Sequence, residues 1–350
     1  MAPPRSGFHS SALVTGATGL IGSYIVERLL DDGWFVRALA REPDVARASI
    51  PRGRSVEVVR GDVLDAASLA NAASGSSVIF HAAANIIVRG GWDSYRLTNI
   101  EGTANAIAAA EKTGARLLQV SSVAVYGSRT RYEAAKRGSR TGEDAALEPL
   151  PERAYYARSK RESEAAVLRA HAQGRIWATA VRPVVVYGRR DRQFVPRMAG
   201  LMRRVPIPLL RRGRSIMSVV HAENVADGAL LAATTDAAGG RAYNLTNDFE
   251  VSVRRFFELA GQGLGRRPLF VPLPLPVARG ALRAAKTVAR MLSGGRFSLV
   301  SNSAIDFIAE DNPFTSERAR RELGWKPRVH PEDGVPDAFR WWVETHKGAT

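Results

Sequence analysis

Tyr156 and Lys160 stand four positions apart in Tyr155-Tyr156-Ala157-Arg158-Ser159-Lys160. On a helix that spacing puts both side chains on one face, one turn apart. Hydride transfer at a carbonyl needs a proton donor beside the reacting oxygen. A free phenol, with a pKa of about 10, exchanges protons poorly at neutral pH. A nearby ammonium stabilises the phenolate and lowers that value, a part Lys160 can play. Tyr155 is five positions from the lysine and projects differently, so Tyr156 is the expected acid. The same pair also arises by chance on any amphipathic helix with a surface lysine, so its meaning depends on what surrounds it.

A second group of residues is built for an anion. Gly16, Gly19 and Gly22 form a G-x-x-G-x-x-G turn between the apolar run Ser11–Thr15 and a helical pattern over 20–30. In that pattern Ile21, Ile25 and Leu29 share a face. Gly16 permits the tight turn, Gly19 lets the backbone approach a pyrophosphate, and Gly22 lets helix and strand pack closely. The helix amino terminus then meets the negative charge. With Thr18, Leu20 and Ile21 completing the turn, a nicotinamide dinucleotide is the expected ligand. At the end of the second strand an acid would bind the ribose 2′-hydroxyl of NAD, whereas an arginine accommodates the 2′-phosphate of NADP. The segment Val36-Arg37-Ala38-Leu39-Ala40-Arg41-Glu42-Pro43 places Arg41 there and no acid. A guanidinium can pair with phosphate in a fork, so NADP(H) is favoured and NAD(H) stays open. Arg47 is a second candidate phosphate contact.

Other polar residues fall at strand ends. Ser121 and Ser122 close the fifth strand, where a hydroxyl points into the crevice that binds ligands; strand alternation turns one of them away. Asp62 follows the third strand and suits either a ligand contact or a cap for a helix beginning near Leu64. Ala82 and Ala83, after His81 on the fourth strand, are small enough for a cofactor to lie against the backbone. His81 itself is expected to be structural. Asn99 opens a helix in Asn99-Ile100-Glu101-Gly102-Thr103, where capping is one natural role.

These groups need a scaffold, and the 350-residue chain, 45% hydrophobic, supplies one. Strands are predicted at Ser11–Thr15, 34–39, 55–59, Val78–His81, 117–121 and 177–181. Helices are predicted at 66–72, 99–112 and 156–173. The alternation argues for an α/β fold, a Rossmann doubly wound parallel sheet, with a smaller mixed carboxyl-terminal substrate lobe. Residues 1–190 would form the dinucleotide domain, 215–246 would return to it through a helix at 221–233 and a strand at Ala242–Leu245, and 191–350 would mainly form the lobe. The polar stretch 127–151 reads as a loop or lid.

With these motifs in place the chain resembles the extended short-chain dehydrogenase/reductases. Thr15-Gly16-Ala17-Thr18-Gly19-Leu20-Ile21-Gly22 looks like their amino-terminal signature. Arg182-Pro183-Val184-Val185-Val186-Tyr187-Gly188 and Leu323-Gly324-Trp325-Lys326-Pro327 look like later segments of the same family. The resemblance implies Ser122, four residues before Tyr126, as the hydroxyl that polarises the substrate oxygen. It implies Tyr156 as the proton donor and Lys160 as its partner and holder of the nicotinamide ribose. Asp62 would meet the adenine, with the Val63 backbone assisting. Pro183 would shape the backbone facing the nicotinamide carboxamide, and Asn99 would orient the lysine through water. Dehydratases of this family carry Asp-Glu directly after the serine. Here Val123 and Ala124 stand there, which argues against that chemistry.

The expected activity is thus an NADPH-dependent ketone reductase, or the reverse dehydrogenase, acting on a hydrophobic small molecule. A sugar-nucleotide epimerase of the same fold is the alternative. A non-catalytic NADP-sensing or nucleic-acid-binding protein is the alternative of another class, motivated by the net charge of +16. The arginines are spread along the chain, so no nucleic acid partner is expected. Over 277–292, Val277, Ala281, Ala285, Val288 and Leu292 share one helical face, and Arg279, Arg283, Lys286 and Arg290 another. Such a helix suits an acidic carrier or an anionic membrane surface, or, as the favoured reading, a solvated face of the lobe. There is no cysteine, so disulfides and thiolate chemistry are excluded, and no metal site is expected. The first ten residues hold no apolar run, so neither a signal peptide nor a location outside the cytoplasm is expected. Assembly as a homodimer is left open.

Overall fold

The computed structural model describes residues 10–346 apart from 48, 52–54, 87–90, 128–139, 205, 248, 282 and 285–306. Its strands are β1 (Ser11–Thr15), β2 (Phe35–Ala40), β3 (Val56–Arg60), β4 (Val78–His81), β5 (Arg116–Val120), β6 (Ala178–Pro183), β7 (Val185–Tyr187), β8 (Ile207–Leu209), β9 (Val219–His221), β10 (Ala242–Leu245) and β11 (Phe270–Pro272). Seven of them form one sheet in the order β10-β6-β5-β4-β1-β2-β3, every neighbouring pair parallel. The order reverses between β1 and β4, and that is where an open parallel sheet leaves a crevice beyond its carboxyl ends.

Central strands with apolar residues on both faces explain why the sheet is covered on both sides. Val14, Phe80, Leu118 and Val181 pack with the Leu20–Asp31 and Ala222–Thr234 helices. Their strand neighbours Leu13, Ile79, Leu117 and Ala178 pack on the other face, against Ala66–Ala73, Gly102–Thr113 and Tyr155–Ala172. The alternation of partners along each strand follows directly from the two-residue period.

A separate apolar cluster holds the carboxyl-terminal lobe together. Phe256, Phe257, Met202, Met217 and Phe339 are buried in it. They belong to or flank the helices Phe194–Arg204, Val253–Gly263 and Pro331–Thr345 and the two small parallel ladders β7–β9 and β8–β11. The segment after Gly324 ties lobe to sheet. Trp325 is fully buried and donates its indole N–H to the Asn224 carbonyl at 2.9 Å. The Asn224 side chain in turn accepts the N–H groups of Arg328 and Val329 at 2.8 and 2.9 Å.

Three local differences from the sequence reading bear on the site. The helix expected from Asn99 begins at Trp92, and Asn99 lies inside a π-helical turn over Arg96–Glu101. Ile21 is only partly buried, packing against the core while also bordering the crevice. The basic helix expected over 277–292 is helical at 275–281 and 283–284; Ala285, Lys286, Val288, Arg290 and Leu292 lie outside the described residues, as do residues 128–139 of the loop expected at 127–151. Among the described residues no helix is long and apolar enough to cross a membrane.

Candidate active site

Beyond the carboxyl ends of β1, β4, β5 and β6 lies a cavity of about 1490 Å³. The glycine turn makes one end of it. Gly16 has φ +66°, a left-handed conformation that L side chains rarely adopt. A Cβ there would also sit 2.7 Å from the Ala83 nitrogen, so the turn lies directly against the backbone after β4. A Cβ on Gly22 would overlap the Gly16 carbonyl, which is why helix and strand approach so closely. Gly19 donates its N–H back to the Gly16 carbonyl at 2.9 Å and starts the helix without a side-chain cap. Its amino-terminal N–H groups therefore face the cavity with no side chain across them.

The end of β4 beside the turn is held by buried polar pairs. His81 is sandwiched between Thr15 Oγ1 at 2.9 Å and Thr103 Oγ1 at 3.1 Å, and Thr15 Oγ1 also accepts the Ala83 N–H at 3.2 Å. Burial, helped by the Lys160 charge, lowers the His81 pKa from 6.5 to about 3. Unfolded chain binds a proton at this histidine below pH 6.5; folded chain does so only near pH 3. The stability it supports is complete above pH 6.5 and drains away as pH falls towards 3, by about 1.4 kcal/mol per unit. Burial likewise lowers His221, to about 4. Melting temperature should therefore fall steeply below pH 6.5, and His81→Asn should flatten that slope while lowering the plateau. An unchanged slope in the variant would show that His81 does not titrate with unfolding.

Asp62 lines the cavity. Its carboxylate accepts the Leu64 N–H at 3.0 Å, but it does not cap the following helix. Asp65 does, taking the N–H groups of Ala67 and Ser68 at 3.0 Å each. Val63 is buried, with its carbonyl accepting from Asn105 at 2.8 Å. Arg41 follows β2 immediately, is exposed, and borders the same end of the cavity together with Glu42. Arg47 does not reach it; its guanidinium pairs with Asp44 at 2.6 Å one turn back.

At the far end Ser122, Tyr156, Lys160 and Pro183 line the cavity together. Ser122 follows β5 in extended conformation and starts the short 3-10 turn Val123–Tyr126, its hydroxyl accepting the Ala124 N–H at 3.2 Å. A hydrogen bond joins Ser122 to the Tyr156 hydroxyl. Burial raises the Tyr156 pKa above 10, against the lowering by Ser122 and with a further push upward from Tyr95. The lowering by Lys160 expected from the sequence is therefore not what sets this phenol here. The Lys160 ammonium is buried and donates to the Val120 carbonyl at 2.8 Å. Burial brings its own pKa down to about 8, against the opposing pull of Glu164. Tyr155 does not line the cavity; its ring packs 6.1 Å from Trp92 and 6.3 Å from Tyr95. Ser121 borders the cavity, with its hydroxyl buried and without a hydrogen-bond partner among the described residues.

Asn99 is buried and acts neither as a helix cap nor as a cavity wall. Its amide accepts the Asn85 N–H at 2.6 Å and donates to the Asn85 carbonyl at 3.0 Å and to Ser159 Oγ at 2.9 Å. It thus fastens the segment after β4 to the residue preceding Lys160. The π-turn supplies the geometry, since an irregular turn redirects one side chain relative to a regular helix.

The sequence reading missed the remaining wall. Phe194, Met198, Leu201, Ile207, Phe257, Phe307 and Ile308 line the lobe side of the cavity. These apolar residues come from four separate segments and carry no local signal that separates them from core.

Sheet order, glycine cradle and the cluster at the carboxyl ends together define a Rossmann-type dinucleotide enzyme. The family model described as the NAD dependent epimerase/dehydratase family matches residues 12–246, and the chain belongs to that family. It is 29% identical, over 96% of its own length and 97% of the relative's, to a 4-hydroxy-2-methyl-3-oxo-4-farnesyl-3,4-dihydroquinoline-1-oxide ketoreductase of Stigmatella aurantiaca. It is 26% identical, over 95% and 90%, to a 3 beta-hydroxysteroid dehydrogenase/Delta 5-->4-isomerase of Mycobacterium tuberculosis. Among solved structures it is similar to gox2253, with a TM-score of 0.76 and 27% identity over 97% of this chain and 99% of that one. The fold is also that of a UDP-glucuronic acid 4-epimerase from Bacillus cereus, with a TM-score of 0.71 and 18% identity over 97% and 98%. The chain is accordingly an NAD(P)-dependent oxidoreductase of the extended short-chain type, acting on CH–OH or C=O groups.

Proposed function

We propose that this enzyme is an NADPH-dependent ketone reductase, or the corresponding alcohol dehydrogenase, for a hydrophobic small molecule. The observation that carries the reading is the cavity itself: Ser122, Tyr156 and Lys160 on one side face an apolar wall from Phe194 to Ile308 on the other. A dinucleotide fits the remaining end. Gly16 and Gly22 leave a cradle that any Cβ would fill, and the unobstructed helix start favours a pyrophosphate. Gly16, Thr18, Gly19, Leu20, Ile21 and Gly22 would hold that pyrophosphate, Asp62 and Val63 the adenine, Ala82 and Ala83 the underside, and Pro183 the nicotinamide side. The bound cofactor supplies the hydride, or accepts it in the reverse direction.

The chain's own residues handle the proton and the substrate oxygen. Tyr156, held by Ser122, donates the phenol proton to the carbonyl oxygen as negative charge develops there. Ser122 hydrogen-bonds the same oxygen and orients it. Lys160, with a pKa of about 8, keeps a mostly cationic head at neutral pH one turn along the helix from the tyrosine, where it would hold the nicotinamide ribose and return a proton to the phenol once Tyr156 has given its own. A sugar nucleotide would bring hydroxyls to the lobe wall and leave many of them without partners, a cost that an apolar ketone avoids. The relatives' names support the same class, a farnesylated quinoline ketone in one case and a steroid in the other. The reading is tested by following NADPH loss over hydrophobic ketones of differing shape. Turnover of UDP-sugars with no ketone reduced would overturn it.

Arg41 supports NADPH over NADH. It stands at the end of β2 with no ion-pair partner among the described residues. Arg41→Ala should raise KM for NADPH by about tenfold, the cost of one charge-assisted pair, and leave KM for NADH nearly unchanged. Equal effects on both cofactors would remove the 2′-phosphate assignment.

A further inference from the structure

The lobe side of the cavity is apolar except where the segment after β7 meets it. There Arg192 and Arg197 border the cavity, and both are exposed. Nearby arginines are neutralised. Arg190 pairs with Glu27 at 2.6 and 2.7 Å, and Arg189 with Asp337 at 2.7 Å. Among the described residues Arg192 and Arg197 have no hydrogen-bond or ion-pair partner for their guanidinium groups.

The acid beside them is already committed. Asp191 is buried, and its carboxylate takes the N–H groups of Gln193, Phe194 and Val195 at 2.7, 3.1 and 2.9 Å, starting the Phe194–Arg204 helix. The other carboxylates on the cavity, Glu42 and Asp62, lie at the Arg41 end. On the helix Arg197 is three residues from Phe194 and four from Leu201, and all three line the cavity, so cation and apolar wall share a face. Arg197 feels the Asp191 charge only through space, so two guanidinium groups without a hydrogen-bond or ion-pair partner among the described residues stand beside an apolar chamber and complement a ligand with an apolar body and an anionic end.

We propose that the substrate is an amphipathic ketone or alcohol bearing a terminal oxyanion group, which Arg192 and Arg197 receive while the apolar body lies against Phe194, Met198 and Leu201. This rests on the reductase reading above. It adds a charge requirement that the catalytic residues do not impose.

The test uses the full-length enzyme and long-chain keto acids, each matched with its methyl ester and with a keto phosphate of equal length. Wild type should prefer the acid or the phosphate to the ester by about tenfold or more in kcat/KM, the worth of one or two half-screened ion pairs. The preferred member of the pair identifies carboxylate or phosphate as the group. The preference should shrink as ionic strength rises, and Arg192→Gln/Arg197→Gln should remove it. A merely structural loss would lower acid and ester alike and leave their ratio standing, which would overturn the proposal. So would a wild type that uses acid and ester equally, or a double variant whose defect is confined to KM for NADPH. Calorimetric binding of the keto acid and its ester to both proteins reads the same preference without turnover. If no ketone is reduced, the reductase reading fails alone. Selective acid binding lost in the double variant would then still support the oxyanion site, and its absence would overturn it.

Discussion

Replacing Tyr156 by Phe is expected to cut turnover by about 10²–10⁴-fold, the usual worth of a positioned general acid. The substitution removes one oxygen and keeps the ring, so the helix Tyr155–Ala172 and the walls of the cavity persist. Dinucleotide affinity, carried by the glycine turn at the other end of the cavity, should change less than twofold. Ser122→Ala should be milder, because Tyr156 keeps its proton while losing the hydrogen bond that lowers its pKa. That variant should lower kcat/KM across the pH range and leave the alkaline limb in place, because the Lys160 ammonium, with its pKa of about 8, titrates first, and the phenol, pushed up by burial and Tyr95, titrates above it. If Tyr156→Phe turns over normally, the proton comes from elsewhere and the assignment falls. Neighbouring Tyr155 is the control. Its ring belongs to a packed group with Trp92 and Tyr95, so Tyr155→Phe should leave the pH profile in place.

The parts of this site legible in the sequence are those where backbone geometry or reach dictates residue type. Gly16 and Gly22 are demanded by a left-handed turn and by a carbonyl that would collide with any side chain. Tyr156 and Lys160 sit one helical turn apart, which periodicity alone can place. Elsewhere competing local partners defeat such inference. Asp62 and Asp65 are three residues apart, and either suits the start of the same helix; only the fold shows that Asp65 takes it. Asn99 looks like a cap because a capping asparagine and a mid-helix clamp differ in partners distant in sequence, here Asn85 and Ser159. The apolar wall is the extreme case. Phe194, Ile207, Phe257 and Ile308 meet only through tertiary packing, and an apolar side chain facing a ligand has the same chemistry as one facing the core.

The same distance from local pattern makes the support beneath the site a sharp test of stability. Arg182, on β6, and Glu164, one turn beyond Lys160, are buried with side chains 7% and 5% exposed. The guanidinium Nε lies 3.1 and 3.0 Å from the two carboxylate oxygens, and Nη2 lies 2.6 Å from one of them. Its Nη1 donates to the Tyr126 hydroxyl at 2.7 Å, which donates in turn to Asn244 Oδ1 at 2.8 Å. Burial opposes the Arg182 charge, and Glu164 more than restores it, so the pKa rises. Tyr126, pushed up to about 12 mainly by burial, stays a neutral donor. Arg182→Met keeps the volume and removes the countercharge, leaving a carboxylate buried beside Lys160. Unfolding free energy should fall by about 3–5 kcal/mol, the cost of stranding one member of a buried pair. Glu164→Leu on top of Arg182→Met should recover much of it, because a matched apolar pair strands nothing. Turnover of the recovered double variant then reports on Lys160, whose pKa Glu164 holds up. With that carboxylate gone, the lysine should lose its proton at lower pH and the alkaline fall in activity should move towards neutrality. A single variant that loses less than about 1 kcal/mol, within the range of an exposed ion pair, would mean that water reaches Glu164 and that the pair does not anchor the catalytic helix to the sheet.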